Sequence, residues 1–157
     1  MKSNYIQIEK KIMKHNLNPV AVILLVIVGF FHCDSNPKGP TGEDGLDYVS
    51  LIDSLRAAGA TVEPAGEIEQ PFFPVIGRIM KVNGGDVQVF EFADESAATD
   101  QAEQISPDGE FIGDFHVNWI DIPHLYKGGK LIVVYVGQDN EVIGALEAVL
   151  GQQFAGG

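Results

Sequence analysis

Two Gly-Gly pairs stand 44 residues apart, each in front of a strand-like run, and this repeat constrains the fold more than any other feature. The first pair lies in Asn83–Phe92 and the second in Lys127–Val136. Glycine readily adopts the positive φ of two-residue hairpin turns, so each pair predicts a turn between antiparallel strands. A helix-capping aspartate follows each run, Asp94 in the first copy and Asp139 in the second. Each unit therefore predicts the order strand, turn, strand, helix.

The predicted fold class is α+β, a single domain with the order α-β-ββα-ββα and a pseudo-repeat of two ββα units. Arg78–Val82 should enter the first turn, and His116–Ile120 should form the strand before the second turn, ending near Pro123. Leu131–Val136 is apolar on both faces, which is typical of a central strand. A short strand is expected over Ala60–Glu63. Two ββα units usually form one antiparallel sheet, and we expect its helices to pack on one face.

Three helices are predicted from apolar periodicity and capping residues. They span residues 46–58, 95–105 and 141–150. In the first helix, Val49, Ile52 and Leu55 are expected to form the inner face. Gly151 is placed to end the third helix, because glycine is favoured just beyond a helix C-terminus.

The N-terminal residues 1–33 have the three parts of an export signal. A basic flank containing Lys14 leads into the 12 apolar residues Val20–Phe31, and a polar segment follows. As a helix this run covers about 18 Å, whereas the hydrocarbon core of a bilayer is roughly 30 Å thick. Residues 1–33 are therefore predicted to be a signal peptide or, if uncleaved, a membrane anchor. Translation starts either at Met1 or at Met13.

The lone cysteine, Cys33, lies just after the apolar run. A cysteine in this place resembles the signal of bacterial lipoproteins, in which the cysteine becomes the lipidated N-terminus. The resemblance implies lipidation at Cys33 and a membrane-anchored lipoprotein at the cell envelope. His32 departs from the small residues usual before that cysteine, so a free thiol or cleavage nearby with secretion stays open. An intrachain disulfide is excluded by the single cysteine.

Residues 34–45 form a predicted Gly- and Pro-rich tether, and residues 46–157 form the α+β domain. From Asp34 onward the sequence holds six Lys and Arg against 21 Asp and Glu. Such an acidic chain is not expected to bind nucleic acid, because the phosphate backbone would be repelled. The stretch from Tyr126 to Gly137 resembles small uncharacterised exported bacterial proteins, and that resemblance assigns no functional residue.

Aromatic side chains are the candidate ligand contacts. Phe72 and Phe73 lie between two prolines, so they should sit in a loop, where they either plug the core or form an exposed apolar surface. Trp119 and Tyr126 are the other two candidates, with core packing as the alternative. No serine lies in a nucleophile elbow, and no catalytic residue or cofactor is predicted.

The function predicted from the sequence is a non-enzymatic binding or accessory module of the bacterial cell envelope, with an unidentified protein or small-molecule ligand. One alternative is a metal-dependent hydrolase that uses His116, Asp121 and His124, since imidazoles and a carboxylate can bind a transition metal. Another is a periplasmic protein inhibitor. The exposure of the aromatic side chains and the proximity of the two histidines distinguish these alternatives.

Overall fold

The structure, a computed structural model, describes residues 45–157. The predictions for the signal segment, for Cys33 and for the tether before Gly45 lie outside these residues. The elements are α1 (Tyr48–Ala57), β1 (Val62–Ile68), β2 (Gly77–Val82), β3 (Gly85–Glu91), α2 (Glu95–Ala102), β4 (Phe111–Ile112), β5 (Phe115–His116), β6 (Pro123–Gly128), β7 (Leu131–Val136), α3 (Asn140–Leu150) and β8 (Ala155–Gly156).

Six strands form one antiparallel sheet in the order β1-β2-β3-β7-β6-β8, and β4 pairs with β5 in a separate hairpin. The α+β class and the predicted order of helices and strands are confirmed; the β4–β5 hairpin and β8 are additional elements. Strands β3 and β7 lie side by side at the centre, with Val89 opposite Val133. The two ββα units therefore pair with each other through β3 and β7, the second strand of each hairpin.

The two hairpin turns use their glycines differently. In the first turn, Asn83 and Gly84 have φ values of 49° and 91°. In the second, Gly129 has a φ of 53° and the residue after it completes the turn. Gly85 and Gly128 belong to strands β3 and β6. Only one glycine of each pair is thus in a turn. When the two Gly-Gly pairs are aligned, the turn of the second hairpin lies two residues later than the turn of the first.

Helices α1 and α3 cover the first face of the sheet. Their buried side chains pack against inward-facing residues of the central strands. This first core contains Tyr48, Leu51, Ile52, Leu55, Val62, Met80, Val82, Val87, Val89, Tyr126, Leu131, Val133, Tyr135, Val142 and Leu146. The prediction that Val49 faces inward is wrong, since its side chain is 64% exposed. Tyr48, Leu51, Ile52 and Leu55 form the buried stripe, which leaves Val49 at its edge.

Helix α2 covers the opposite, second face, so the prediction that the helices share one face is wrong. Ala98 of α2 belongs to a second core with Phe90 and Val134. The reason lies in the sheet, which is apolar on both faces. Phe90, Ile132 and Val134 belong to the second core and need a cover, whereas α1 and α3 already cover the first core.

Local signals at the helix ends are confirmed. The carboxylates of Asp94 and Asp139 accept hydrogen bonds of 2.8 Å from the backbone N–H groups of Ala97 and Glu141. Such capping satisfies donors that the first helical turn leaves unpaired. Gly151 follows α3 with a φ of 80°, as its position predicts.

The strand predicted over His116–Ile120 is wrong. His116 ends the short β5, and residues 117–122 form a loop that returns to the sheet edge. The strand that enters the second turn is β6, which begins at Pro123. Proline is accepted at the first residue of a strand, where its missing N–H removes no interior ladder bond.

Tyr126 has a hydroxyl with no hydrogen-bond partner, although its side chain is fully buried in the first core. Burial, aided by the charge of Glu147, raises the pKa of Tyr126 to about 12, so the hydroxyl stays protonated. An unpaired buried polar group costs about 1–3 kcal/mol. We therefore expect Tyr126→Phe to raise the free energy of unfolding by about 1 kcal/mol in urea titrations.

Tyr135→Phe is the matched control, since the Tyr135 hydroxyl accepts a 3.2 Å hydrogen bond from the backbone N–H of Asp139. Its removal should lower stability by about 0.5–1.5 kcal/mol. The two substitutions delete the same atom and should act with opposite sign. Equal losses in the two variants would show that the Tyr126 hydroxyl has a partner such as a buried water.

Candidate functional site

An open groove of about 560 Å³ lies beside the β4–β5 hairpin and the loop of residues 117–122. We call it the Trp119 groove. Its lining consists of Asp108, Glu110, His116, Val117, Asn118, Trp119, Ile120, Asp121, Ile122, Pro123 and Gly157. The hairpin exists because Gly113, with a φ of 56°, turns the chain between Ile112 and Phe115, which pair with each other.

Trp119 is fixed in place by contacts on two sides. Its indole Nε1–H donates a 2.8 Å hydrogen bond to the carbonyl of Gly109. Its ring also meets the edge of Phe72, with centroids 6.1 Å apart. Aromatic pairs in such edge-to-face arrangements are favourable beyond the area that they bury. The half-buried indole is therefore presented to the groove in a defined orientation.

Phe72 connects this groove to the second core. Its ring lies 5.0 Å from that of the buried Phe73, whose ring in turn packs at a tilt against Phe90 with centroids 4.3 Å apart. On its other side Phe72 contacts Phe115 at 6.4 Å. The aromatic contacts thus run from the core to the surface and support the loop from below.

The rim of the groove is apolar and exposed. Ile120 is 98% exposed and Ile122 is 39% exposed, and both line the groove. Clustered exposed apolar side chains mark contact sites more often than scattered ones do. Together with Trp119 they give the groove an apolar side.

The other side of the groove is acidic. Two hydrogen bonds lower the pKa of Asp108. The larger effect comes from the side-chain hydroxyl of Ser106 and the smaller from the backbone N–H of Glu110. The pKa of Asp121 is likewise lowered by two hydrogen bonds. The larger effect comes from the backbone N–H of Ile122 and the smaller from the side-chain amide of Gln138. Hydrogen bonds to the ionised form favour it, so both carboxylates stay charged at neutral pH.

Among residues 45–157, the ion pairs of Lys and Arg lie elsewhere. They join Arg78 to Glu91, Lys81 to Asp86, Lys127 to Glu95 and Lys130 to Glu91. The sequence contains neither Lys nor Arg between Lys81 and Lys127. The carboxylates of the groove are therefore not neutralised by these side chains.

The four aromatic candidates have different positions. Phe72 and Trp119 meet at the groove, and Phe73 plugs the second core directly beneath them. Tyr126 lies in the first core on the other face and is fully buried, so it is not available to a ligand. For the segment between the prolines, both sequence interpretations hold in part, with Phe73 in the core and Phe72 at the surface.

The three candidate metal ligands do not form a metal site. Nε2 of the buried His124 lies 3.0 Å from the carbonyl oxygen of Gly137, and its Nδ1 pairs with Oε1 of Gln153. His116 is exposed, with its ring 4.9 Å from that of Phe111. Within residues 45–157, no three His, Cys, Asp or Glu side chains are arranged to hold a metal ion. The structure thus does not bring together the groups that the hydrolase alternative requires.

Sequence reasoning missed four residues that line the groove, Asp108, Glu110, Ile120 and Ile122. Two signals were available. The Pro-Asp-Gly sequence at 107–109 and the Gly-Asp sequence at 113–114 are turn signals that predict a compact hairpin. The long stretch without Lys or Arg marks the most acidic part of the chain.

No protein-family model, curated protein or solved structure matches this chain.

Proposed function

We propose that this protein is a non-enzymatic binding module of the bacterial cell envelope and that it holds its ligand in the Trp119 groove. The observation that carries the proposal is the combination of exposure and support in the loop of residues 117–122. Ile120 is almost fully exposed, yet its neighbour Trp119 is anchored by a hydrogen bond and an aromatic contact. An exposed apolar residue on a rigid support is suited to binding, because little conformational freedom is lost on association.

The chemistry of the groove also favours binding over catalysis. Nucleophilic catalysis needs a hydroxyl or thiol beside a base. The Ser106 hydroxyl donates instead to the Asp108 carboxylate, which is held ionised within a turn. The His124 ring is engaged at both nitrogens.

The cellular position follows from the N-terminal sequence. Residues 1–33 would direct export, and lipid on Cys33 would hold the protein at the membrane. Residues 34–45 would then act as a spacer of up to about 40 Å when fully extended. Among residues 45–157 no helix is long and apolar enough to span a bilayer.

A periplasmic protein inhibitor is the second candidate. Ile120 favours this candidate, because its exposed side chain projects from a supported loop and could insert into a cleft of a partner protein. In both cases the same loop makes the contact. The two differ in whether the bound protein loses an activity.

The test is cross-linking from position 120 in intact cells. A photo-reactive phenylalanine analogue replaces Ile120, and irradiation should give an adduct of one discrete mass, because the side chain already lies at the contact surface. The matched control places the analogue at Val49, which is also exposed but lies on α1 beneath the other face of the sheet. Identical adduct patterns from the two positions, or no adduct from position 120, would contradict binding through the groove.

A further inference from the structure

We infer that the Trp119 groove takes a peptide segment that carries a Lys or Arg side chain next to an apolar side chain. This inference rests on the proposed binding function and names its ligand class. Three features of the groove carry it, namely carboxylates that pair with no described Lys or Arg, the unused carboxylate oxygens and the apolar rim beside them.

The negative charge of the groove follows from where the Lys and Arg side chains lie. Residues 45–157 contain five Lys and Arg. Four of them form the ion pairs described above, and the fifth, Arg56, donates a 2.8 Å hydrogen bond to the Val62 carbonyl on the far side of the sheet. Three carboxylates, those of Asp108, Glu110 and Asp121, line the groove against a single imidazole, that of His116. The resulting negative potential attracts cationic ligands and repels phosphate or anionic lipid.

The carboxylates also retain hydrogen-bonding capacity. Asp108 and Asp121 each use only the Oδ1 atom for the fold, where it accepts two hydrogen bonds. None of these hydrogen bonds from the described residues goes to an Oδ2 atom. Glu110 is exposed and has no Lys or Arg partner in the same part of the chain. A guanidinium or ammonium group is the donor that such oxygens prefer.

The apolar rim distinguishes a peptide from a simple cation. Trp119 offers a half-exposed indole, on which a Lys or Arg side chain can stack by a cation–π contact. Ile120 and Ile122 line the same groove, and their exposed area is buried favourably only against an apolar group. A polyamine or an inorganic cation would leave these two side chains in water. A peptide with neighbouring basic and apolar side chains contacts both sides of the groove.

The test uses the fluorescence of Trp119, the single tryptophan of the chain. The probe is a capped hexapeptide with two lysines and two leucines, and its counterparts carry glutamine or glutamate in place of lysine. Binding of the lysine peptide should change the emission of Trp119 and the anisotropy of the labelled peptide. It should be tighter than binding of the glutamate peptide by at least about tenfold at low salt, and the difference should shrink as salt rises.

The informative variant is Glu110→Gln, which should weaken binding of the lysine peptide by about 2- to 5-fold and leave the glutamine peptide unaffected. Glu63→Gln is the matched control, because Glu63 is exposed on β1 at the opposite edge of the sheet, and it should change neither affinity. Equal affinity for the three peptides, or no binding of the lysine peptide by either readout, would overturn the inference. Discrete cross-links from position 120 would still support the groove as a binding site in that case, so the two failures are distinguishable.

Discussion

Phe90→Ala should lower the free energy of unfolding by about 3–5 kcal/mol, a large share of the stability of a domain this size. Phe90 is fully buried in the second core, and its ring packs at a tilt against Phe73 with centroids 4.3 Å apart. Its ring also fills the space above Gly77, where an added Cβ would lie only 2.5 Å from ring carbon Cε1. Truncation would leave a cavity that this aromatic cluster cannot close. Urea-induced unfolding measures the effect.

Phe111→Ala is the control for Phe90→Ala, because Phe111 is 48% exposed on β4. Its loss should cost less than about 1 kcal/mol. If Phe90→Ala prevents folding, Phe90→Leu should still fold and show an intermediate loss, since it keeps most of the buried volume. If the substitutions at positions 90 and 111 lower the free energy of unfolding by the same small amount, the second core beneath α2 is contradicted.

Cys33→Ser should abolish lipid labelling and leave the precursor uncleaved. The expected effect is all-or-none, because in the proposed mechanism Cys33 carries the lipid and signal cleavage depends on it. The precursor would keep the apolar run Val20–Phe31 and stay at the membrane through it. Labelling of cells with a clickable fatty acid, the electrophoretic size of the protein and membrane fractionation measure the effect. Ser35→Ala is a matched control two residues further on and should behave like the parent. A Cys33→Ser protein that is processed and sediments with the membrane would contradict lipid anchoring.

The helices and their caps were predictable because their signals are local. An aspartate before an apolar run caps it through a backbone N–H only two or three residues away, as Asp94 and Asp139 do. The central position of Leu131–Val136 was predictable for a related reason, since a strand that is apolar on both faces must be covered on both.

The face on which a helix docks was not predictable from the repeat. The two units are similar in sequence, yet α2 and α3 dock on opposite faces. Leu131–Val136 is apolar on both faces, which already indicated that each face needs a cover. Which helix covers which face depends on the packing of the whole sheet, and the repeat carries no signal for it.

The candidate site was predictable only in part. Phe72 and Trp119 stood out by residue type, and the fold brings them to 6.1 Å. Tyr126 stood out for the same reason but is buried on the other face, because residue type does not distinguish core aromatics from surface ones. The exposure of Ile120 results from the loop of residues 117–122, which replaced a predicted strand. Its role therefore depended on tertiary structure.

The most direct measurement of the central claim is an amide chemical-shift map of the isotopically labelled protein titrated with the lysine–leucine peptide. Ligand in the Trp119 groove should shift the resonances of residues 108–122, including the indole N–H of Trp119, and leave those of β1 and α1 unchanged. Shifts concentrated on β1 or α1, or spread evenly over the acidic surface, would contradict a binding site in this groove.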